Sequence, residues 1–68
     1  MKKNLLEAQM KIHGDRQEDL AKAIGVSLNT FSMKLNGRND RGFTGTEIQK
    51  IKERYNLTAE EVDEIFFG

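Results

Sequence analysis

The stretch AIGVSLNTFSMKLNG, residues 23–37, decides how this chain is read. Gly25, Val26 and Ser27 separate two segments of helical periodicity, so one helix stops and the next starts within three residues. So short a connection is too tight for side-by-side antiparallel packing and suits a steep helix-turn-helix crossing. Gly25 permits the bend, Ala21 one turn earlier permits close approach, and Val26 fills the corner from the inside. Ser27 is a good N-cap, and Val26 and Phe31 stand at the spacing of a hydrophobic staple. In the second helix, residues 28–36, Phe31 and Leu35 share one face, with Asn29 and Met33 opposite, flanked by Thr30, Ser32 and Asn36. Poor helix formers gathered on one side of a short helix point to a use outside the protein. A helix of this length, about 14 Å, is short enough to enter a DNA major groove about 12 Å wide.

The same grammar orders the rest of the chain. A first helix over 3–13 carries Leu5, Leu6, Met10 and Ile12 as an apolar stripe and stops at Gly14. A second, over 16–24, opens with Asp15 and Glu18 at capping-box spacing and buries Leu20, Ala21 and Ile24. Thr44 with Glu47 and Thr58 with Glu61 form two further capping boxes, flanked by the staples Phe43 with Ile48 and Leu57 with Val62. They open helices over 45–55, with Ile48, Ile51 and Tyr55 inward, and 59–67, with Val62, Ile65 and Phe66 inward. Asn56 is placed for a left-handed cap. With no Pro and no strand or repeat pattern, the fold class is all-α: one compact five-helix domain over residues 1–68.

Composition narrows the function. Sixty-eight residues with 37% hydrophobic content bury about 60% of their unfolded surface, which leaves no second domain and little material for a walled substrate cleft. There is no Cys and a single His13, so neither a thiolate nor a His-rich metal site is expected, and no cofactor. His13 reads as a helix-end residue favoured by the C-terminal dipole. A hydrolase built on His13 with Asp15 or Glu18 would lack a nucleophile, an oxyanion site and a second base, so no catalytic residue is expected. No apolar run approaches the roughly 20 residues of a membrane span, and the start MKKNLLEAQMK has no sustained apolar signal region. A cytoplasmic protein without membrane or small-molecule partner is the expectation. Net charge is zero, yet residues 1–38 hold seven basic and four acidic residues, +3, and the remainder four basic and seven acidic, −3. Glu60, Glu61, Asp63 and Glu64 concentrate the acid near the C-terminal end, away from the 23–37 stretch.

The segment QEDLAKAIGVSLNTFSMKLNG resembles the Cro and lambda-repressor-like, or Xre-type, helix-turn-helix family. The resemblance rests on Gln17, Leu20 with Ala21, Gly25, Val26 with Ser27, and Asn36 with Gly37. With the ending FTGTEIQKIKERYNLTAEEVDEIFF it extends to the family's short phage-encoded regulators and covers nearly the whole chain. It implies a transcriptional regulator, of phage or prophage repressor type, that binds a double-stranded operator. By position it implies base contacts from Leu28, Asn29, Thr30, Ser32 and Met33, and a phosphate contact from Gln17 that also braces the recognition helix. Asn pairs with adenine, hydroxyls bond bases or phosphates, and Met or Leu packs on a thymine methyl. Arg16, Ser27, Lys34, Asn36, Arg38 and Arg41 complete the expected phosphate contacts.

Three departures qualify the pattern. Arg16 stands where the family prefers Thr as cap, which shifts the cap to Asp15 and frees Arg16 for a phosphate. Leu28 stands at a position more often polar in the family and lies angularly near Leu35, so core packing and base contact both stay open; Lys34 stands where many relatives have an aliphatic residue, and its stem can run along the core while its ammonium reaches out. At the C-terminal end a small core has little room for both Phe66 and Phe67, so Phe67 is expected to face a partner, a second copy pairing through the last helix. Dimers of this kind bind half-sites about 34–36 Å apart. The alternative reading is a protein-interaction module, antitoxin-like or a co-regulator, that keeps the fold and binds another protein; zero net charge favours it.

Overall fold

Helix ends are where this sequence specifies its structure most tightly. The computed structural model describes residues 1–37 and 42–68, and among these the secondary structure is entirely helical. The helices are α1 Lys3–Ile12, α2 Gln17–Ile24, α3 Leu28–Leu35, α4 Gly45–Tyr55 and α5 Ala59–Val62, the last continuing as a π-helical turn over Asp63–Phe67. α1 closes through Gly14 at φ +72°, with the Gly14 N–H donating to the Lys11 carbonyl at 3.2 Å and the Asp15 N–H to the Met10 carbonyl at 2.8 Å. These are the paired bonds of a Schellman motif. α2 repeats them at Gly25, φ +81°, where the Val26 N–H reaches the Ala21 carbonyl at 3.0 Å. α4 ends the same way on Asn56, φ +52°, with the Leu57 N–H bonded to the Lys52 carbonyl at 3.0 Å.

The starts are equally explicit. Thr44 Oγ1 accepts from the Glu47 N–H at 3.2 Å while Glu47 Oε1 accepts from the Thr44 N–H at 2.9 Å, and Thr58 with Glu61 repeats both bonds. α2 is capped differently from the expectation. Arg16 is its N-cap residue, and the Asp19 carboxylate accepts from the Arg16 N–H at 2.9 Å. Arginine has no acceptor to return that bond, so only half of a capping box exists. Asp15 is not the cap, because its carboxylate is taken by α4.

The core consists of Leu6 and Met10 from α1, Leu20, Ala21 and Ile24 from α2, Phe31 and Leu35 from α3, Ile51 and Tyr55 from α4, with Phe43, Leu57, Ile65 and Phe66. Ile12, expected in the α1 stripe, is exposed. Two residues beyond Met10 it projects from the other side of the helix. Three rings stack edge to face through the centre, Phe31 to Phe43 at 5.6 Å and Phe43 to Phe66 at 5.9 Å, tying α3 to the C-terminal turn. The π-helical turn departs from the expected continuous α-helix over 59–67. Its wider winding carries the adjacent Ile65 and Phe66 into the core and leaves Phe67 outside, 68% exposed. The Lys2 N–H donates to the Ile65 carbonyl at 2.7 Å, so the first residues of the chain lie on this turn. Among the described residues no helix is long and apolar enough to cross a membrane.

Candidate nucleic-acid interface

α3 is presented by the turn before it. The left-handed Gly25 reverses the chain, Val26 packs half-buried against the core, and Ser27 starts the next helix by accepting the Thr30 N–H at 3.1 Å. Phe31 and Leu35 then anchor α3 from below, with Lys34 beside them. The opposite side carries Asn29 and Met33 exposed, with Thr30 and Ser32 half-buried at its edges, and Leu28 is exposed at the first turn, on the same angular side as Leu35. Leu28 is 50% exposed, which settles its orientation outward rather than into the core.

Local hydrogen bonds order this surface. Ser27 Oγ donates to Thr30 Oγ1 at 3.0 Å, and the Asn29 amide rests on the Met33 thioether at 3.8 Å, a weak bond easily exchanged for a stronger acceptor. Asn36 Nδ2 donates to the Ser32 carbonyl at 2.8 Å and to Ser32 Oγ at 3.3 Å. Its Oδ1 accepts from Lys3 Nζ at 2.6 Å. Lys3 therefore stands at the C-terminal end of α3, a cation beside this face that the sequence reading did not single out. No periodicity links positions 33 residues apart; only the packing of α1 against the C-terminal turn brings them together.

Lys34 does not lie as expected. It is a buried residue, its ammonium donating to Glu47 Oε1 at 2.9 Å and to the Gly42 carbonyl at 3.0 Å. Its position, one helical turn from Phe31 on the anchored side, turns the stem inward, and the Glu47 carboxylate holds the charge there. The phosphate contact expected of Lys34 gives way to a tie between α3 and the start of α4. Burial pushes the Glu47 carboxyl up, but the Thr44 N–H, the Lys34 ammonium and the Thr44 hydroxyl outweigh it and hold the group below its ordinary value.

The other expected phosphate ligands are distributed around α2 and α3. Gln17 is the first residue of α2 and half-buried, Ser27 and Asn36 are exposed at the two ends of α3, and the Arg16 side chain is 83% exposed with Nη1 3.5 Å from Glu18 Oε1. An exposed pair at that distance holds the guanidinium weakly. Arg38 and Arg41 lie outside the described residues.

A second polar cluster sits away from this face. Arg54 grips Asp15 with two bonds, 2.7 and 2.8 Å, and the Tyr55 hydroxyl donates to the same carboxylate at 2.7 Å. The Arg54 bonds, with Tyr55 adding to them against the opposing effect of burial, hold the Asp15 carboxyl down at about 2. Burial, then Asp15, pushes the Tyr55 hydroxyl up. His13 stacks on the Tyr55 ring at 4.6 Å. The cluster fastens the α1–α2 corner to α4 and so fixes where α2 begins.

A scan against protein-family models and searches of curated proteins and of solved structures found no match.

Proposed function

We propose that this chain is a sequence-specific DNA-binding regulator of the Cro and lambda-repressor-like type, with α3 as its recognition helix. The observation that carries the reading is the division of α3. Phe31, Lys34 and Leu35 hold the helix to the body, while Asn29 and Met33 project on its far side and Leu28 is exposed at its first turn, behind a three-residue turn. In the proposed complex Asn29 pairs with a base edge, its weak contact to Met33 exchanged, and Met33 and Leu28 pack on thymine methyls. Arg16, Gln17, Ser27, Asn36 and Lys3 meet phosphates on either side, which makes affinity fall with salt. A cytoplasmic setting belongs to the same proposal.

The alternative reading, a helix-turn-helix module that binds another protein, is favoured by two features. The chain carries no net charge, and Leu28 and Met33 are two exposed apolar side chains on the same short helix. Selection of bound sequences from random double-stranded DNA, followed by titration of the selected site at several salt concentrations, separates the two. The DNA reading requires an enriched motif, an affinity that falls with salt, and a loss with Asn29→Ala. A flat selection with salt-independent weak binding sinks it.

A further inference from the structure

α3 carries one cation, Lys34, and packing takes it out of reach of a ligand: the ammonium is buried on Glu47 Oε1 at 2.9 Å and on the Gly42 carbonyl at 3.0 Å. Asn36, at the end of the helix, is engaged on both sides of its amide. Its Nδ2 donates to the Ser32 carbonyl and to Ser32 Oγ, and its Oδ1 accepts from Lys3 Nζ. Ser27 Oγ accepts the Thr30 N–H and donates to Thr30 Oγ1. What α3 keeps for a base edge is therefore narrow. Among the described residues the Asn29 amide makes a weak contact to the Met33 thioether at 3.8 Å, and both tips are exposed. Thr30 and Ser32, half-buried at the edges, each retain a hydroxyl hydrogen, which bonds any base acceptor and discriminates little.

Guanine shows two acceptors in the major groove, O6 and N7, and its usual partner is an Arg or Lys. α3 turns no such group outward. Adenine shows an acceptor, N7, beside a donor, the N6 amine, and a single amide matches both with its Nδ2–H and Oδ1. The Asn29 and Met33 tips lie 3.8 Å apart, close to the roughly 3.4 Å between stacked base pairs. An amide seated on one pair thus sets the thioether against the next, where the apolar group on offer is the thymine 5-methyl. We propose that α3 reads consecutive A·T pairs, Asn29 on an adenine and Met33 on the 5-methyl group of a neighbouring thymine, and that it reads no guanine. This rests on the DNA-binding reading and names the class of operator it takes. Glu47 then sets specificity without touching DNA, because its carboxylate holds inward the one side chain of α3 that suits a guanine edge.

The test selects the sequences that the full chain binds from random double-stranded DNA and titrates the selected site, with single base changes, by fluorescence anisotropy. Asn29→Ala and Met33→Ala replace exposed side chains and are expected to keep the helical circular dichroism of the parent. The positions whose preference each variant relaxes are the ones that side chain reads, and they are expected to be adjacent A·T pairs. A G·C pair in place of the one read by Asn29 is expected to cost the parent about 5-fold to 150-fold in affinity. Deoxyuridine in place of the thymine removes only a methyl group and is expected to cost about fourfold, a cost that disappears in Met33→Ala. The double variant Lys34→Met with Glu47→Gln is expected to select the same motif as the parent. G·C pairs at the positions that either alanine variant relaxes overturn the proposal and leave the DNA reading standing. So do a deoxyuridine site bound as tightly as the thymine one, an enriched motif that neither alanine variant changes, and a guanine preference that vanishes in the double variant. A selection without any enriched motif removes the DNA reading, and this proposal with it.

Discussion

Replacing Asp15 by Asn removes one negative charge from the junction of α1, α2 and α4 and leaves the side chain nearly the same shape. In the folded chain the two Arg54 bonds and the Tyr55 hydroxyl hold the Asp15 carboxyl at about 2, against its ordinary 3.8. That difference corresponds to about 2 kcal/mol of folding free energy at neutral pH. Arg54 is 40% exposed and water screens part of the pair, so about 2 kcal/mol is an upper value. Because the folded value is the depressed one, the stabilisation is complete above about pH 4 and is lost as pH falls from there toward 2. A domain of this size has about 3–10 kcal/mol in total, so the loss is large, about 8–15 °C in Tm. Urea unfolding of both proteins, followed by circular dichroism from pH 7 to pH 2, reads it directly. Asp15→Asn is expected to be less stable at pH 7 by about 1–2 kcal/mol, with the two stability curves converging near pH 2. Curves that run parallel over the whole range refute the argument, because they mean that Asp15 titrates alike in the folded and unfolded chains.

The other predictions concern α3 and its supports. Asn29→Ala is expected to weaken specific DNA binding by about 1–3 kcal/mol per half-site without changing the melting temperature, as measured by fluorescence anisotropy and thermal unfolding on the same preparation. Lys34→Met strands the Glu47 carboxylate against α3 and is expected to cost about 3 kcal/mol of stability; Lys34→Met with Glu47→Gln recovers most of it. In that double variant the salt dependence of DNA affinity should match the parent's, whereas a Lys34 that touched phosphate would reduce the slope by about one. Gly25→Ala meets no side chain but forces a left-handed residue with a Cβ, and urea titration is expected to report a loss of about 1–2 kcal/mol.

What was legible in the chain was local. The caps at Ser27, Thr44 and Thr58 and the left-handed ends at Gly14, Gly25 and Asn56 all stand as their neighbours in sequence imply, since each is closed by bonds within six residues, from backbone N–H to a side-chain hydroxyl at the caps and to a backbone carbonyl at the ends. The inward Phe31 and Leu35 and the outward Asn29 and Met33 follow from helical geometry alone. Asp15 and Lys34 depart from the expectation for one shared reason. Sequence relates each to the helix it borders, as a cap and as a tip reaching outward, while its partner stands on α4, 39 and 13 residues away. The exposed side of α3 is thus legible in the sequence, whereas the partners of the charges around it are not.

The sequence by itself determined five helical segments, their caps and the polar side of α3, because hydrogen bonding at helix ends and the turn of the helix are satisfied among near neighbours. Tertiary structure alone decided the charges. It turned Lys34 inward onto Glu47, brought Lys3 to Asn36, sent Asp15 to Arg54, and wound the last turn as a π-helix. A charged side chain can be held by any partner that the packing of helices brings within about 3 Å, and that packing depends on every core residue at once.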